Sequence, residues 1–295
     1  MTTATVGRNE SERHPVTEPW LTTLRDQLVP TRLGRTNVWV GGKSDGPAMV
    51  FWPSLLVDSS MWRYQYEHYA PTYRVVLVDA PGAGKSEAVR RTFDLAECCD
   101  CLIAILDALG IERCYLIGTS WGALVGSVFA ALHPKRLQAA VLINGSATPP
   151  SAHEIGQMIE LVTALEGMVT MPDWLVGATQ SAFAGPTAEA GKPEFMDYLW
   201  CVLNEDPTSV ALAIRSVVIE SKDRHALLST IKDVPVLVLA GEEDRRFVVD
   251  EARTMADAIP GSQFAVIPHT GHLAARETPY LVNKEIDAFL ARLTP

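Results

Sequence analysis

The stretch Gly118-Thr119-Ser120-Trp121-Gly122 decides the fold of this chain. The residues before it, Arg113 to Ile117, are a short apolar run that predicts a buried strand. The residues after it, Ala123 to His133, carry apolar side chains at helical spacing, and Pro134 ends that pattern. A serine between two glycines at a sharp strand-to-helix turn takes a strained backbone conformation that exposes its hydroxyl. We therefore predict that Ser120 is a nucleophile.

Predicted strands and helices alternate on both sides of this turn. Apolar runs predict one or two edge strands over 32–40 and buried strands over 48–51, 74–78, 138–143, 234–240 and 264–267. Amphipathic stretches predict helices over 61–69, 94–109, 250–259 and 279–293. Such alternation is typical of an α/β fold with a mostly parallel central sheet that helices cover on both faces.

Residues 146–233 break this rhythm, because only helical or loop-like segments occur there. We predict that they form a helical cap inserted into an α/β core of residues 19–145 and 234–295. The polar residues 1–18 lack the apolar segment of a secretory signal and are interpreted as an N-terminal tail. Since the chain also lacks an apolar stretch long enough to span a bilayer, we predict a cytoplasmic protein with no membrane partner.

Charge and cysteine spacing argue against two further classes of function. The net charge of −10 over 295 residues disfavours a nucleic-acid partner, because phosphate binding needs a basic surface. The five cysteines lack the spacing of a metal site, so we interpret them as buried and reduced and expect no metal. They are Cys98, Cys99, Cys101, Cys114 and Cys201.

The segment Gly84-Lys85-Ser86 follows a predicted strand and is similar to the end of a phosphate-binding loop. That motif requires a glycine at position 79, where this chain has Asp79. Without the glycine the loop cannot easily wrap a phosphate, so we interpret the segment as a turn rich in glycine and proline that leaves the strand.

A serine hydroxyl needs a base within hydrogen-bonding distance, and the base needs a partner that orients it. Asp244 and His272 both follow predicted strands, so they are expected near Ser120 at the carboxyl edge of the sheet. Their order along the chain, Ser then Asp then His, is the order that the turn motif predicts. Other candidates in the same two loops stay open: Glu242 and Glu243 as acids, and His269 as the base.

The motifs Gly118-Thr119-Ser120-Trp121-Gly122, Gly241-Glu242-Glu243-Asp244 and Gly271-His272 resemble those of the α/β-hydrolase fold family with a helical cap. The resemblance covers nearly everything from about residue 32 to the C-terminus. It implies that Ser120 is the nucleophile, His272 the general base and acid, and Asp244 the orienting acid. Asn144 stands where some relatives place the acid, but its amide lacks the negative charge that stabilises an imidazolium.

The family's mechanism also needs backbone N–H donors for a developing oxyanion. One donor is expected to be Trp121, which follows the nucleophile. The other comes from the loop after the strand at 48–51, where many relatives have His-Gly and this chain has Trp52-Pro53-Ser54-Leu55. Pro53 has no N–H. The resemblance favours Leu55, with Ser54 as the alternative.

The predicted cap is rich in methionine and aromatic residues, which can form an adaptable apolar wall. We predict a substrate-binding set from this cap and from the loops around Ser120: Trp52, Ser54, Trp121, Met158, Trp174, Phe183 and Trp200. The basic residues of the region are interpreted as surface charges, which leaves a carboxylate-bearing substrate open but unsupported. They are Arg215, Lys222, Arg245 and Arg246.

The resemblance implies a serine hydrolase that cleaves an apolar ester or lactone through an acyl-enzyme, without a metal or organic cofactor. Ser120 argues against a haloalkane dehalogenase or an epoxide hydrolase, which normally carry aspartate at this position. Three alternatives stay open on the same scaffold: a carbon–carbon bond hydrolase, a cofactor-free oxidoreductase, and a receptor that binds a ligand without catalysis. The oligomeric state is left open, a homodimer included.

Overall fold

The computed structural model describes residues 19–202 and 206–293, so the predicted tail, residues 1–18, lies outside them. Eight strands form one sheet in the spatial order β1-β2-β4-β3-β5-β6-β7-β8. The pairs β1–β2 and β2–β4 are antiparallel and the other neighbouring pairs are parallel, which confirms the predicted mostly parallel sheet. The strands are β1 (Arg25–Thr31), β2 (Gly34–Gly42), β3 (Ala48–Trp52), β4 (Arg74–Val78), β5 (Cys114–Thr119), β6 (Leu137–Ile143), β7 (Val236–Gly241) and β8 (Gln263–Ile267).

Helices flank the sheet and fill the segment between β6 and β7. The helices of the α/β core are α1 (Arg63–Tyr69), α2 (Leu95–Ala108), α3 (Trp121–Leu132), α10 (Val249–Asp257), α11 (Ala274–Glu277) and α12 (Pro279–Ala291). Those between β6 and β7 are α4 (Ala152–Leu165), α5 (Asp173–Phe183), α6 (Pro186–Gly191), α7 (Pro193–Val202), α8 (Pro207–Ile214) and α9 (His225–Leu228). A helical insertion around residues 173–219 is therefore present, as expected for a cap. We keep 146–233 as its proposed full extent.

The order of the strands gathers the predicted site loops at one place. Strand β3 has β4 on one side and β5 on the other, so the chain crosses over beside β3. Strands β3 to β8 are parallel and end at the same edge of the sheet, where ligands bind in folds of this kind. The loops after β3, β5, β7 and β8, which carry the predicted oxyanion, nucleophile, acid and base residues, meet along this edge.

The edge of the sheet differs from its prediction. Strand β2 lies in the predicted edge region, but its hairpin partner β1 begins at Arg25 and was missed. Most of β1 is exposed, and Val29 is its one buried side chain. Because an exposed edge strand lacks the apolar alternation of a half-buried one, its sequence gives little strand signal. Pro30 sits within β1, as proline does on edge strands.

Alternating side chains of each strand feed two cores, one on each face of the sheet. On β3, Val50 and Trp52 belong to the core that α2, α3 and α10 cover. Met49 and Phe51 belong to the opposite core, which is shared with α12 and the helical insertion. The sheet is thereby buried on both faces, as its apolar strands predict. No helix among the described residues has the length and apolar character needed to cross a membrane.

Four of the five cysteines have buried, free thiols, in agreement with the sequence interpretation. Burial raises the pKa of each of these thiols above its ordinary value, so they are unreactive as nucleophiles. The four are Cys98, Cys99, Cys101 and Cys114. The side chain of Cys201 lies outside the described residues.

Asp79 organises the loop after β4. Its carboxylate occupies the position that a phosphate would need in a phosphate-binding loop. Its buried carboxylate accepts hydrogen bonds from the side chains of two residues of β2 and from two backbone N–H groups, at 2.9 to 3.2 Å. A Cβ on Gly84 would lie 2.6 Å from this carboxyl group. The interior of the turn is therefore already occupied by an anionic group of the protein itself. The four donors are Asn37 Nδ2, Trp39 Nε1, Ser59 N and Lys85 N.

Replacing this carboxylate should destabilise the fold, because several buried donors would lose their acceptor at once. We expect Asp79→Ala to lower the free energy of unfolding by about 3 kcal/mol. Urea denaturation followed by circular dichroism measures the change. The exposed Asp45, substituted in the same way, is the control and should shift stability by less than about 0.5 kcal/mol. Equal effects of the two substitutions would contradict the role assigned to Asp79.

Candidate active site

Ser120 lies at the turn between β5 and α3, where the motif predicts it. Its φ of 55° and ψ of −111° fall in a region that residues with a side chain rarely adopt. Its N–H donates to the Ile143 carbonyl at 2.9 Å, and its own carbonyl accepts from the Leu124 N–H at 3.0 Å. These bonds fasten the turn to β6 on one side and to α3 on the other. The unusual backbone conformation is thus held by its surroundings.

The two flanking glycines are required by close contacts between backbones. A Cβ on Gly118 would lie 2.1 Å from the Gly122 carbonyl oxygen, and a Cβ on Gly122 would lie 2.2 Å from the Trp52 carbonyl oxygen. Side-chain carbons do not approach other atoms so closely in proteins. The Gly122 N–H also donates to the Pro53 carbonyl at 3.1 Å. The start of α3 is therefore packed directly against the loop after β3.

Backbone donors beside Ser120 are available for an oxyanion. Leu55 and Trp121 both line the cavity that contains Ser120. Within the described residues, neither backbone N–H donates to a protein acceptor. The Ser54 N–H is unbonded in the same sense, and the buried Ser54 hydroxyl has no partner. Leu55 and Trp121 thus stay the predicted donor pair, with Ser54 as the alternative.

His272 and Asp244 form a buried pair, in which His272 lines the cavity and Asp244 lies behind it. The ring Nδ1 lies 3.0 Å and 2.9 Å from the two carboxylate oxygens. Asp244 Oδ1 also accepts from the backbone N–H groups of Arg246 at 2.7 Å and Phe247 at 3.1 Å. These donors fix the carboxylate, and the carboxylate in turn fixes the ring. With Nδ1 bound in this way, Nε2 is the nitrogen that remains for proton transfer.

The serine and the histidine share one cavity. Ser120 and His272 both line it, although no direct hydrogen bond joins them among the described residues. Catalytic hydrogen bonds are often long before substrate binds, so this arrangement is compatible with a nucleophile–base pair. The rings of Phe183 and Phe247 lie 5.0 Å and 5.7 Å from the imidazole and shield it from water.

The other candidate acids and base take part in different contacts. The side chain of His269 is 75 % exposed and lies 3.7 Å from Glu243. Glu242 accepts from the His269 N–H, and Glu243 accepts from Thr187 of the helical insertion. His269 and Glu242 are therefore exposed, and Glu243 is held against the helical insertion, so none of the three belongs to the buried pair of His272 and Asp244.

Asn144 joins the acid loop to the histidine loop, a role that the sequence does not reveal. It follows β6 with a φ of 51° and is fully buried. Its Nδ2 donates to the carbonyls of Gly271 at 2.9 Å and His272 at 2.6 Å. Its Oδ1 accepts from the Gly241 N–H at 2.7 Å, at the end of β7. One neutral amide thus satisfies two acceptors and one donor from the loops that hold the base and the acid.

Glu277 is a second buried group beneath the histidine loop. Its Oε1 accepts from the Gly271 N–H at 3.0 Å, while its Oε2 has no partner among the described residues. Burial raises the pKa of this carboxyl to about 7. Glu277 therefore binds and releases a proton near neutral pH while it lies buried beneath the loop that carries His272.

The cavity itself has a volume of about 190 Å³ and opens beneath the helical insertion. Four residues of the predicted substrate-binding set line it: Ser54, Trp121, Met158 and Phe183. Further apolar side chains come from α3, α4, α5, α8 and the segment after α8. They include Leu124, Leu161, Leu175, Ile214 and Val217.

Three tryptophans of the predicted set do not line the cavity. Trp52 is fully buried in the sheet core, where its ring packs edge-on against that of Trp121 at 5.9 Å. Trp174 is 54 % exposed near the start of α5. Trp200 packs against the core on the insertion side of the sheet. An abundance of aromatic residues predicts an apolar region, but the orientation of each element decides which of them reach the cavity.

The cavity wall also carries charges that the sequence interpretation assigned to the surface or overlooked. Arg246, interpreted as a surface charge, lines the cavity, together with Glu154 and Glu251. Arg224 lines it as well and is buried. By contrast, Arg245 is part-exposed and pairs with Glu189, as a surface residue does. No cluster of three or more metal-binding side chains is found in the described part of the chain.

Comparison with known proteins agrees with this architecture. A sequence model of the α/β-hydrolase fold matches residues 47–171. A thermophilic esterase from Thermogutta terrifontis has the same fold, with a TM-score of 0.83 and 25 % identity over 92 % of this chain and 100 % of that one. The chain has the α/β-hydrolase fold.

The names of similar proteins refer to several kinds of bond. A carboxylesterase of Bacillus subtilis, itself uncharacterised, is 26 % identical over 273 residues, 92 % of this chain and 88 % of its own length. A 3-oxoadipate enol-lactonase of Acinetobacter baylyi is 26 % identical over 251 residues, 85 % of this chain and 91 % of its own length. Two other relatives, both 28 % identical, are named as a putative carbamate hydrolase of Pseudomonas syringae, over 84 % of this chain and 95 % of its own length, and as a 2-hydroxy-6-oxononadienedioate/2-hydroxy-6-oxononatrienedioate hydrolase of Paraburkholderia phymatum, over 75 % and 77 %.

The Asn144 contacts predict a ranking of two substitutions. Asn144→Asp places a carboxylate against two carbonyl oxygens, so we expect the free energy of unfolding to fall by about 3 kcal/mol. Asn144→Gly tolerates the positive φ and removes the side chain without adding repulsion, so it should cost less. Urea denaturation of both variants tests this order. If aspartate is tolerated as well as glycine, the amide does not bind the two loops as described.

The raised pKa of Glu277 predicts a dependence of stability on pH. A carboxyl that binds its proton more tightly in the folded state stabilises the fold below its unfolded pKa, and that contribution is lost as pH rises through about 7. Glu277→Gln keeps an acceptor for the Gly271 N–H and cannot ionise. The stability of the variant relative to wild type should therefore increase between pH 5 and pH 8, which thermal unfolding at each pH measures. A constant difference over that range would contradict the shift.

Proposed function

We propose that this α/β hydrolase is a serine hydrolase that cleaves a small or medium apolar carboxylic ester or lactone. The observation that carries the proposal is the buried His272–Asp244 pair, whose ring opens onto the same apolar cavity as Ser120. A serine becomes a useful nucleophile only beside an oriented base, and this arrangement supplies both.

In the first half of the reaction, Ser120 attacks the substrate carbonyl carbon while His272 Nε2 takes the hydroxyl proton. Asp244 stabilises the resulting imidazolium through its two contacts with Nδ1. The carbonyl oxygen becomes an oxyanion, for which the N–H groups of Leu55 and Trp121 are the donors. Their lack of other acceptors in the described residues supports this role.

In the second half, His272 returns its proton to the leaving alkoxide, which departs and leaves an acyl group on Ser120. The same nitrogen then takes a proton from a water molecule, whose oxygen attacks the acyl-enzyme. Collapse of the second oxyanion releases the acid and restores the serine hydroxyl. For a lactone the alkoxide stays attached to the acyl chain, and the product is a hydroxy acid.

The class of substrate follows from the cavity and from the relatives. Leu124, Leu175 and Val217 are typical of its walls, which favours an apolar acyl or alcohol group. The names carboxylesterase and enol-lactonase among the relatives support an ester or a lactone as the bond. We further propose residues 146–233 as the cap over this cavity, a cytoplasmic location, and no nucleic-acid partner.

Covalent labelling tests the nucleophile directly. We expect a fluorophosphonate to add one adduct to the wild-type protein, seen as a single shift in intact mass, and none to Ser120→Ala. Ser127→Ala, in the helix that follows the turn, is the matched control and should be labelled like wild type, because Ser127 donates to the Leu124 carbonyl inside α3. A wild-type protein that is folded and remains unlabelled would overturn the proposal.

Hydrolysis of p-nitrophenyl esters tests the acid and the base. His272→Ala should lower kcat by about 10⁵-fold or more, and Asp244→Asn by about 10⁴-fold, because the histidine transfers the proton and the aspartate only orients it. Circular dichroism shows whether each variant is folded. A smaller decrease of kcat in His272→Ala than in Asp244→Asn would contradict the assigned roles.

A further inference from the structure

Arg224 is a charged side chain buried in the wall of the cavity. It is 6 % exposed and lies just before α9, where the chain returns from the helical insertion to the core. Its backbone N–H donates to the Ala147 carbonyl at 3.0 Å, which ties this point to the loop after β6. Burial lowers the pKa of the guanidinium to about 10, so the group remains a cation at neutral pH.

The hydrogen bonds of Arg224 leave part of the guanidinium unused. Nη1 donates to Ser221 Oγ at 3.0 Å and to the Lys222 carbonyl at 2.9 Å. Nη2 donates to the Ser146 carbonyl at 2.8 Å, and Nε has no acceptor among the described residues. Of five N–H groups, two are therefore free, one on Nε and one on Nη2. Nε and Nη2 together form the side of a guanidinium that binds a carboxylate through two parallel hydrogen bonds.

No carboxylate of the described residues lies within 4 Å of this guanidinium. Asp223, the nearest acid in sequence, is exposed and hydrogen-bonds with His225; its charge acts on Arg224 only beyond ion-pair distance and raises the pKa of the guanidinium by less than burial lowers it. The oxygens that Arg224 does contact are two neutral carbonyls and one hydroxyl. A buried cation without an anionic partner is unfavourable, because its hydration is lost and no opposite charge replaces it.

The remaining charges of the cavity wall do not fill this role. Two carboxylates, Glu154 and Glu251, line the cavity beside Arg246. Hydrogen bonds from Ser151, with a smaller contribution from Arg246, lower the pKa of Glu154, whereas burial raises the pKa of Glu251. Asp244 is engaged by His272 and by two backbone N–H groups. Arg224 is thus a charge of the lining that forms no ion pair with a carboxylate in the described part of the protein.

We propose that Arg224 binds a carboxylate carried by the substrate, so that the enzyme prefers esters or lactones with a second, anionic end. This inference rests on the proposed function, since it names the class of substrate for the same cavity. The apolar walls would hold the carbon chain, and the Arg224 guanidinium, which lines the cavity, would hold the carboxylate. Ser120 would then attack the ester carbonyl at the other end of the chain.

Paired substrates that differ only in this charge test the proposal. One pair is mono-p-nitrophenyl adipate and its neutral methyl ester, which places the charge on the acyl side. The other is a 4-acyloxybenzoate and its methyl ester, which places it on the leaving group. For wild type, kcat/KM should favour the charged member of at least one pair. In Arg224→Met that ratio should fall by at least about tenfold, the effect of losing charge-assisted hydrogen bonds.

Two further variants separate the role of the charge from structural effects. Arg224→Lys keeps a cation but not the two-pronged edge, so its ratio should lie between wild type and Arg224→Met. Circular dichroism shows whether Arg224→Met is folded. If it is not, Arg224→Lys tests the proposal in its place. Arg215→Met is the matched control, because Arg215 is part-exposed, pairs with Glu166 at 3.2 Å and does not line the cavity. Its ratio should equal that of wild type.

Binding of adipate, measured by calorimetry, keeps this test independent of hydrolysis. If no ester is cleaved but wild type binds the dianion and Arg224→Met does not, the proposed hydrolysis fails and the anion site stands. If esters are cleaved and the charged and neutral members react alike in wild type and in both Arg224 variants, the anion site is overturned and the hydrolase stands. Equal binding of adipate by wild type and Arg224→Met likewise overturns the site.

Discussion

The site depends on one constraint, the close crossing of backbones where β5 turns into α3 against the loop after β3. Gly122 has no room for a side chain beside the Trp52 carbonyl, and its N–H binds the Pro53 carbonyl. The same crossing therefore determines the positions of Ser120 and of the Leu55 amide. Because the serine has a positive φ, a turn that relaxed to an ordinary conformation would move the hydroxyl relative to that amide. The backbone strain at Ser120 and the position of the Leu55 amide beside it are consequences of a single packing contact.

Asp244 and His272 need another kind of support, since their loops follow two separate strands, β7 and β8, near the end of the chain. Asn144 binds both loops from the neighbouring strand β6. The helical insertion holds the histidine loop from the other side, because the His272 N–H donates to the Phe183 carbonyl at 2.8 Å. A Cβ on Gly271 would lie 2.3 Å from the Gly185 nitrogen, so the two backbones are in direct contact. Movement of the insertion at this point would displace His272 as well as the cavity wall.

Features that depend on local chain geometry could be predicted from the sequence. The strained turn at Ser120 follows from two glycines between a strand and a helix, and the order of the later loops follows from the parallel sheet. Features that depend on contacts between distant parts of the chain could not be predicted. The amide of Asn144 lacks the negative charge of a catalytic acid, and the sequence predicts no other role for it. In the structure this amide binds carbonyls and an N–H group of two loops that converge on it. Trp174 and Phe183 are both aromatic residues of α5, but only Phe183 lies on the face of this helix that reaches the cavity.

The cavity combines two kinds of recognition that differ in selectivity. Apolar walls such as Leu175 discriminate weakly between chains that differ by one methylene, by a factor of about 10 to 200. A buried group with unused donors discriminates more strongly, because a partner that lacks the matching acceptor leaves those donors unpaired and without water. Arg224 is such a group, and its three existing bonds hold it in place before any substrate arrives. The presence of an anionic end should therefore affect the choice of substrate more than the length of the carbon chain that joins it to the ester.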